Sequence, residues 1–235
     1  MPLKPVDPIV QFIRVGVDSG YGGRQSRIFD DRHYHFIPIP KHNDPEWCRF
    51  TYGDMASNAK RKPTIKGSSL LRLRRGDFLV FYAGFEDTNR KRCVGVFAYL
   101  IVEHAYLFDR SKLPKGRGLS FAKRPHDYSP FKSFEKDANA KTWRKILRRY
   151  KKFSQHVESK NCRDEMELLI CGDRRRSRLL PKVEILAPSK DGNYIVSSEV
   201  ARRFGLKNKT DLKRSSVRTE EGEPAKRAIE RLKTL

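Results

Sequence analysis

The sequence lacks several features that would place it in a common class of protein. It has no run of roughly eighteen apolar residues, which excludes a transmembrane helix. Its N-terminus has no uninterrupted apolar stretch of the kind found in signal peptides, so the sequence predicts a cytoplasmic protein that does not act at a membrane. Its four cysteines stand singly without CxxC spacing, so a zinc site is disfavoured and reduced thiols are expected.

Signatures of well-known enzyme classes are also missing. The chain contains no GxxxxGK[ST] loop, no HxE…PCxxC deaminase pattern and no glycine motif of a methyltransferase. His33 and His35 alternate along a predicted strand and share one face, but two histidines do not make a metal site. The sequence therefore predicts no metal and no cofactor, and it leaves open whether the protein is an enzyme.

Positive charge is what the chain has in excess. Lysine and arginine number 51 against 28 acidic residues, giving a formal net charge of +23 and a pI near 10.1. The basic residues are spread along the chain, which favours a folded protein with a charged face over a globule with a basic tail. Because such an excess repels itself in a compact state, we expect a polyanionic partner, either DNA or RNA. The oligomeric state is not indicated.

The apolar pattern predicts strands in the centre of the chain with helices inserted and appended. The predicted strands are Phe12–Val17, Tyr34–Ile39, Phe78–Tyr82, Cys93–Val102, Glu167–Cys171 and Lys182–Leu186. Residues 41–69 are predicted to be irregular, about 131–160 to be a helical insertion, and Glu223–Lys233 to be a terminal helix. Regular strand–helix alternation is missing, so the predicted class is α+β: a single domain over residues 1–235 with a mixed, mostly antiparallel β-barrel or curved sheet.

The segment VGVDSGYGGRQSRIFD is the first candidate site. Three glycines allow a ligand to approach the backbone, and exposed N–H groups in such a loop can bind an anion. Tyr21 can stack on a base while Arg24 holds a phosphate or a base edge. A tight bend with Tyr21 packed inward remains an alternative. The nucleotide-binding candidates from this segment are Ser19, Gly20, Tyr21, Gly22, Gly23 and Arg24.

Further candidates follow downstream. Tyr52 in TYGD and Tyr82 at a predicted strand end are also nucleotide-binding candidates. Tyr52 is interpreted as a pocket wall or part of a structural turn, and Tyr82 as a core residue or a ring presented to a groove. The segment GDRRRSR between two strands is a phosphate clamp or a solvated hairpin. Its predicted backbone contacts, together with those of the basic helix, are Arg148, Arg149, Lys152, Arg174, Arg175 and Arg176.

Four segments carry a resemblance to a known family. They are VGVDSGYGGRQSRIFDD…FIPIP, TYGD, LRLRRGDFLVFYAGF and SRLLPKVEI, and together they resemble the third of the nucleotide-modification-associated domain families. That resemblance implies a role linked to nucleic-acid modification, and it adds Ser177 and Arg178 of the SRLL motif to the nucleotide-binding candidates. The pattern GDFLVFYAGF…CVGVFAYLIVE is similar to PUA-like barrels, including EVE and ASCH domains, which implies a pocket for RNA or a modified base.

Two functions of different class follow from these observations. The first is a binding module that recognises a modified or flipped base in nucleic acid. The alternative is an enzyme acting on a nucleobase or its glycosidic bond, with Asp18 as the acidic catalytic residue and His156 as a second catalytic group. A structural protein of RNA processing or the ribosome would need the charge alone.

Overall fold

The computed structural model describes residues 7–15, 33–37, 50–55, 65–109, 166–206, 212 and 218–235. The strands are β1 (Val10–Arg14), β2 (Tyr34–Phe36), β3 (Thr51–Met55), β4 (Phe78–Asp87), β5 (Arg92–Asp109), β6 (Met166–Gly172), β7 (Arg178–Pro188) and β8 (Arg218–Glu220). The helices are α1 (Ile65–Leu70), α2 (Ser198–Phe204) and α3 (Gly222–Lys233).

The described strands form one curled sheet. Its order is β3-β6-β5-β4-β1-β8, with β2 also paired to β4 and β7 also paired to β5. All of these pairs are antiparallel except β1 with β4, which are parallel. The predicted fold class, α+β with a mixed and mostly antiparallel curved sheet, is confirmed.

Strand β5 is the centre of this arrangement. Its first half pairs with β4 on one edge and with β7 on the other, and its second half, from Val102 onward, pairs with β6. Strands β6 and β7 run antiparallel to β5 one after the other, with a turn between them. The register shifts between Phe81 and Tyr82 and again between Val102 and His104, and irregularities of this kind bend a strand and help a sheet to curl.

Both faces of β4 and of the first half of β5 are buried, as the continuous apolar runs predicted. In β4, Leu79 and Phe81 enter one hydrophobic core while Val80 and Tyr82 enter the other. The first core lies on the side that contacts α1, and the second lies beneath α2 and α3. A strand covered on both faces has no solvent side to carry polar residues, which is why these segments read as unbroken apolar sequence.

The two C-terminal helices cover the second core. Helix α3 buries Ala225, Ala228, Ile229 and Leu232, a spacing that places all four on one side of the helix. Helix α2 is capped at its N-terminus by Ser197, whose side chain accepts a hydrogen bond from the backbone N–H of Val200 at 3.3 Å. Glu184 of β7 accepts hydrogen bonds from arginines on both helices, Arg203 at 2.8 Å and Arg231 at 2.6 Å.

Several elements differ from the sequence prediction. Strand β5 is seven residues longer at its C-terminal end than predicted, and residues 41–69, predicted to be irregular, include β3 and all of α1 except its last residue. Strand β3, TYGDM, has no apolar alternation, and it is held by pairing with β6 at every one of its residues. Helix α2 and strand β8 are too short to show a period in the sequence. The helical insertion predicted at about 131–160 lies outside the described residues.

Candidate nucleic-acid interface

Many of the predicted site residues lie outside the described part of the chain. The glycine segment and the basic helix both fall there, so their roles stay predictions. The residues concerned are Asp18, Ser19, Gly20, Tyr21, Gly22, Gly23, Arg24, Arg148, Arg149, Lys152 and His156.

Tyr52 and Tyr82, the two nucleotide-binding candidates among the described tyrosines, are core residues. Tyr52 is 1 % exposed and Tyr82 is fully buried. The ring of Tyr52 packs against Phe81 with 5.3 Å between the ring centroids, and its hydroxyl donates a hydrogen bond to the carboxylate of Asp54. A ring needs an exposed face to stack on a base, so the structure gives both tyrosines a packing role.

Ser177 also has a structural position. It is 3 % exposed, and its hydroxyl oxygen accepts a hydrogen bond from the backbone N–H of Ile101 in β5 at 3.0 Å. The hydroxyl thereby takes the place of a strand partner at the point where β6 ends and β7 begins. Arg178, next in sequence, is exposed and lies opposite Tyr99. Burial raises the pKa of Tyr99, and the nearby Arg178 guanidinium acts in the opposite direction.

The described residues contain two turns rich in arginine, numbered in chain order. The second arginine turn, residues 172–178 (GDRRRSR), is organised by Asp173. The Asp173 carboxylate accepts hydrogen bonds from the backbone N–H of Arg175 at 2.9 Å and from the side chain of Arg176 at 2.6 Å. The Arg176 hydrogen bond is the main reason that the pKa of Asp173 lies below its ordinary value. Arg174, Arg175 and Arg176 are all exposed. The turn is therefore a fixed loop that presents three arginines to solvent.

The first arginine turn, defined as residues 72–77 (RLRRGD), is organised by Asp77 in a similar way. The Asp77 carboxylate accepts hydrogen bonds from the backbone N–H of Ile9 at 3.0 Å and from that of Arg74. Asp77 is only 4 % exposed, and this burial raises its pKa although both N–H groups favour the ionised form. Arg74 and Arg75 are exposed on the turn.

The two turns are hydrogen-bonded to β5 at the same level, on opposite edges of the strand. On one edge, Gly76 donates a backbone hydrogen bond to Val102 at 2.8 Å, and Val102 donates one to Asp77 at 2.8 Å. On the other edge, Asp173 donates a backbone hydrogen bond to Ile101 at 2.8 Å. Adjacent residues of one strand therefore hold the two turns, which are about 100 residues apart in the sequence. The sequence pattern indicated the second turn as a site but not Arg74 and Arg75 of the first, although both contain the same Gly-Asp pair beside arginines.

The described residues also include a buried thiol and side chains of the types that bind metals. Burial raises the pKa of the Cys93 thiol to about 11, so it stays protonated near neutral pH. Within the described ranges, no group of three His, Cys, Asp or Glu side chains is placed to hold a metal ion. None of the helices in these ranges combines the length and the apolar character needed to span a bilayer. Among the described side chains, the exposed arginines of the two turns are the ones suited to an anionic ligand.

A comparison with known families gives a match in the part of the chain that contains the glycine segment. Residues 10–67 match the family model of nucleotide modification associated domain 3. This is the family that the sequence motifs resemble, and the match includes both the glycine segment and TYGD. No curated protein and no solved structure was found to match the chain. The resemblance to PUA-like barrels is therefore not confirmed, while the link to nucleotide modification is supported.

Proposed function

We propose that the protein binds nucleic acid and recognises a modified or flipped base, as part of a process that modifies nucleic acid. The observation that carries this proposal is the match of residues 10–67 to nucleotide modification associated domain 3. The net charge of +23 adds a reason for a polyanionic partner, since lysine and arginine side chains that neutralise phosphates release condensed counterions.

The proposal assigns the two parts of recognition to different regions. Phosphate contacts position a protein on nucleic acid without reading its sequence, and exposed arginines such as Arg174 and Arg175 suit that purpose. Reading one base needs a site that holds the base edge and stacks on its ring, and the glycine segment with Tyr21 and Arg24 supplies those groups. The matched family segment contains this second region.

The test is to incubate the protein with DNA and RNA oligonucleotides that differ only at one base. Unmodified, 5-methylcytosine and N6-methyladenine versions are compared for affinity by fluorescence anisotropy, and the recovered oligonucleotides are checked by mass spectrometry. We expect tighter binding to one modified version, lost in Tyr21→Ala and largely retained in Tyr21→Phe because stacking depends on the ring. Stacking accounts for about 1–3 kcal/mol per base.

Two outcomes contradict the binding proposal in different ways. Equal, strongly salt-sensitive affinity for every oligonucleotide leaves charge alone as the basis of binding, without base recognition. Release of a base or a chemically altered oligonucleotide, abolished by Asp18→Asn with affinity intact, identifies an enzyme acting on the base or its glycosidic bond.

A further inference from the structure

The two arginine turns lie on either side of β5, at the same level along the strand. They are held by Ile101 and Val102, whose backbone groups point to opposite edges of β5. Strands in a sheet are spaced by ~4.8 Å, so the two turns are separated by about two spacings, ~10 Å. Two basic segments that are far apart in sequence therefore occupy one small area of the protein.

The composition of the turns differs from that of the rest of the chain. The full sequence has 28 arginines and 23 lysines, but the two turns contain seven arginines and no lysine. Arginine presents a planar fork of N–H donors that binds two oxygens of a phosphate at once, whereas lysine acts as a point charge. The restriction to arginine indicates a surface suited to geometric recognition of phosphate.

Part of this charge is already neutralised within the fold. Arg72 forms an ion pair with Glu221, and Arg176 forms one with Asp173 at 2.6 Å. The Asp77 carboxylate is occupied by two backbone N–H groups. In contrast, Arg75, Arg174 and Arg175 form no ion pair with any carboxylate of the described residues. Their guanidinium groups are exposed and available to an external anion.

We propose that the two arginine turns form one composite site for the phosphates of a nucleic-acid backbone, in which Arg74 and Arg75 act together with Arg174 and Arg175. The inference rests on the proposed function and names the surface that holds the backbone. A dinucleotide has only one internucleotide phosphate, whereas an oligonucleotide of 12 nucleotides has several and can supply a separate phosphate to each turn.

The experiment measures affinity as a function of salt for variants in each turn. Arg75→Gln and Arg175→Gln are compared with Arg202→Gln and Arg227→Gln, which change exposed arginines on α2 and α3. The probes are labelled oligonucleotides of 2 and 12 nucleotides, single-stranded and, for the longer one, duplex. Thermal unfolding of each variant confirms that the substituted protein is folded.

We expect each turn variant to weaken binding of the 12-nucleotide probe by about threefold to tenfold, and the double variant to multiply the two effects. Each phosphate that a substitution leaves unbound makes the slope of log K against log salt shallower by about 0.9 with duplex, or about 0.7 with a single strand. The variants on α2 and α3 remain within about twofold of the unsubstituted protein, because both arginines lie on the helical layer. The dinucleotide has a single internucleotide phosphate and occupies one turn at a time, so each single variant leaves the other turn intact and weakens its binding less than that of the 12-nucleotide probe, while only the double variant weakens both turns.

Three results overturn the inference, and they differ in what else they overturn. A protein that binds no oligonucleotide contradicts both this inference and the proposed function. If Arg75→Gln changes the affinity for the 12-nucleotide probe no more than Arg202→Gln does, the composite site is contradicted but the proposed function is not. Competition by inorganic phosphate or a free nucleotide as strong as that by the 12-nucleotide probe shows an anion site that does not follow a backbone.

Discussion

The two arginine turns have the same Gly-Asp pair and contact adjacent residues of β5, but their aspartates are in opposite environments. Asp77 is 4 % exposed and its pKa is raised by burial, whereas the side chain of Asp173 is 23 % exposed and its pKa is lowered, chiefly by the hydrogen bond from Arg176. Both carboxylates accept backbone N–H groups. The same Gly-Asp motif is therefore part of the core on one edge of β5 and part of the surface on the other.

The largest expected effect comes from removing the buried aspartate. Asp77→Ala leaves the N–H groups of Ile9 and Arg74 without their charged acceptor in a place that water reaches poorly. We expect a loss of about 2–4 kcal/mol in the free energy of unfolding, measured by urea denaturation. Asp173→Ala is the matched variant, and it should lose about 1 kcal/mol or less because water can replace its hydrogen bonds. Equal losses in the two variants would show that burial does not separate the turns.

The glycines that precede the two aspartates give the next contrast. A Cβ at Gly172 would lie 2.8 Å from Leu100 Cδ2 and 2.8 Å from Ser177 Oγ, so Gly172→Ala overpacks the β5–β6 contact. We expect it to cost about 1–3 kcal/mol. A Cβ at Gly76 meets no atom within 4 Å, but its φ of +93° is unfavourable for alanine, and Gly76→Ala should cost about 1–2 kcal/mol.

These two glycine variants can be told apart by a second substitution. Leu100→Ala makes room beside residue 172, so the double variant with Gly172→Ala should lose less than the sum of the two single losses. The same partner combined with Gly76→Ala should be additive within about 0.5 kcal/mol, since no side chain is crowded there. Additivity in both pairs would mean that crowding against Leu100 is not the reason for glycine at position 172, because Ser177 Oγ still lies 2.8 Å from the added Cβ. The measurement is again urea denaturation.

Ser177 gives a smaller effect that tests the sequence interpretation directly. Ser177→Ala removes the acceptor of the buried Ile101 N–H, and we expect a loss of about 1–2 kcal/mol in the free energy of unfolding. Oligonucleotide affinity, measured at a temperature where the variant is folded, should not change. Ser198→Ala, at the exposed start of α2, is the control for stability. Unchanged stability with weakened oligonucleotide binding would return Ser177 to the nucleotide-contact role predicted from the sequence.

The pH dependence of stability should be the smallest effect, with opposite sign for the two aspartates. The folded-state pKa of Asp173 is below the ordinary 3.8, so its contribution to stability is present above 3.8 and is lost as the pH falls through the lowered value. The folded-state pKa of Asp77 is above 3.8, so the native state binds a proton more readily than the unfolded state. As the pH falls from the raised folded-state pKa of Asp77 toward 3.8, the contribution of Asp77 therefore increases the free energy of unfolding.

Asparagine variants make these two signs measurable. Unfolding by urea between pH 3 and pH 7 is compared for the unsubstituted protein, Asp77→Asn and Asp173→Asn. As the pH falls, the free energy of unfolding of the unsubstituted protein should decrease relative to that of Asp173→Asn. Relative to that of Asp77→Asn, it should increase. Shifts of the same sign in both pairs would contradict the assignment of burial to Asp77 and exposure to Asp173.

Part of the fold was predictable because the local sequence determined it. The apolar runs that became β4 and β5 predicted strands buried on both faces, and the stripe of Ala225, Ala228, Ile229 and Leu232 lies in the segment where a terminal helix was predicted. Strand β3 and helix α1 gave no such signal, since each is short and is stabilised by pairing or packing with distant residues.

The candidate site also has properties that follow from the local sequence and others that follow only from the tertiary structure. The sequence by itself determined the cationic character of the chain, the glycine segment and the arginines of the second turn, because charge and residue type are local properties. Only the tertiary structure decided that Tyr52 and Tyr82 belong to the core, and that the first arginine turn joins the second across β5. Backbone pairing along one strand sets that proximity, and hydrogen bonds between residues about 100 positions apart cannot be inferred from either segment alone.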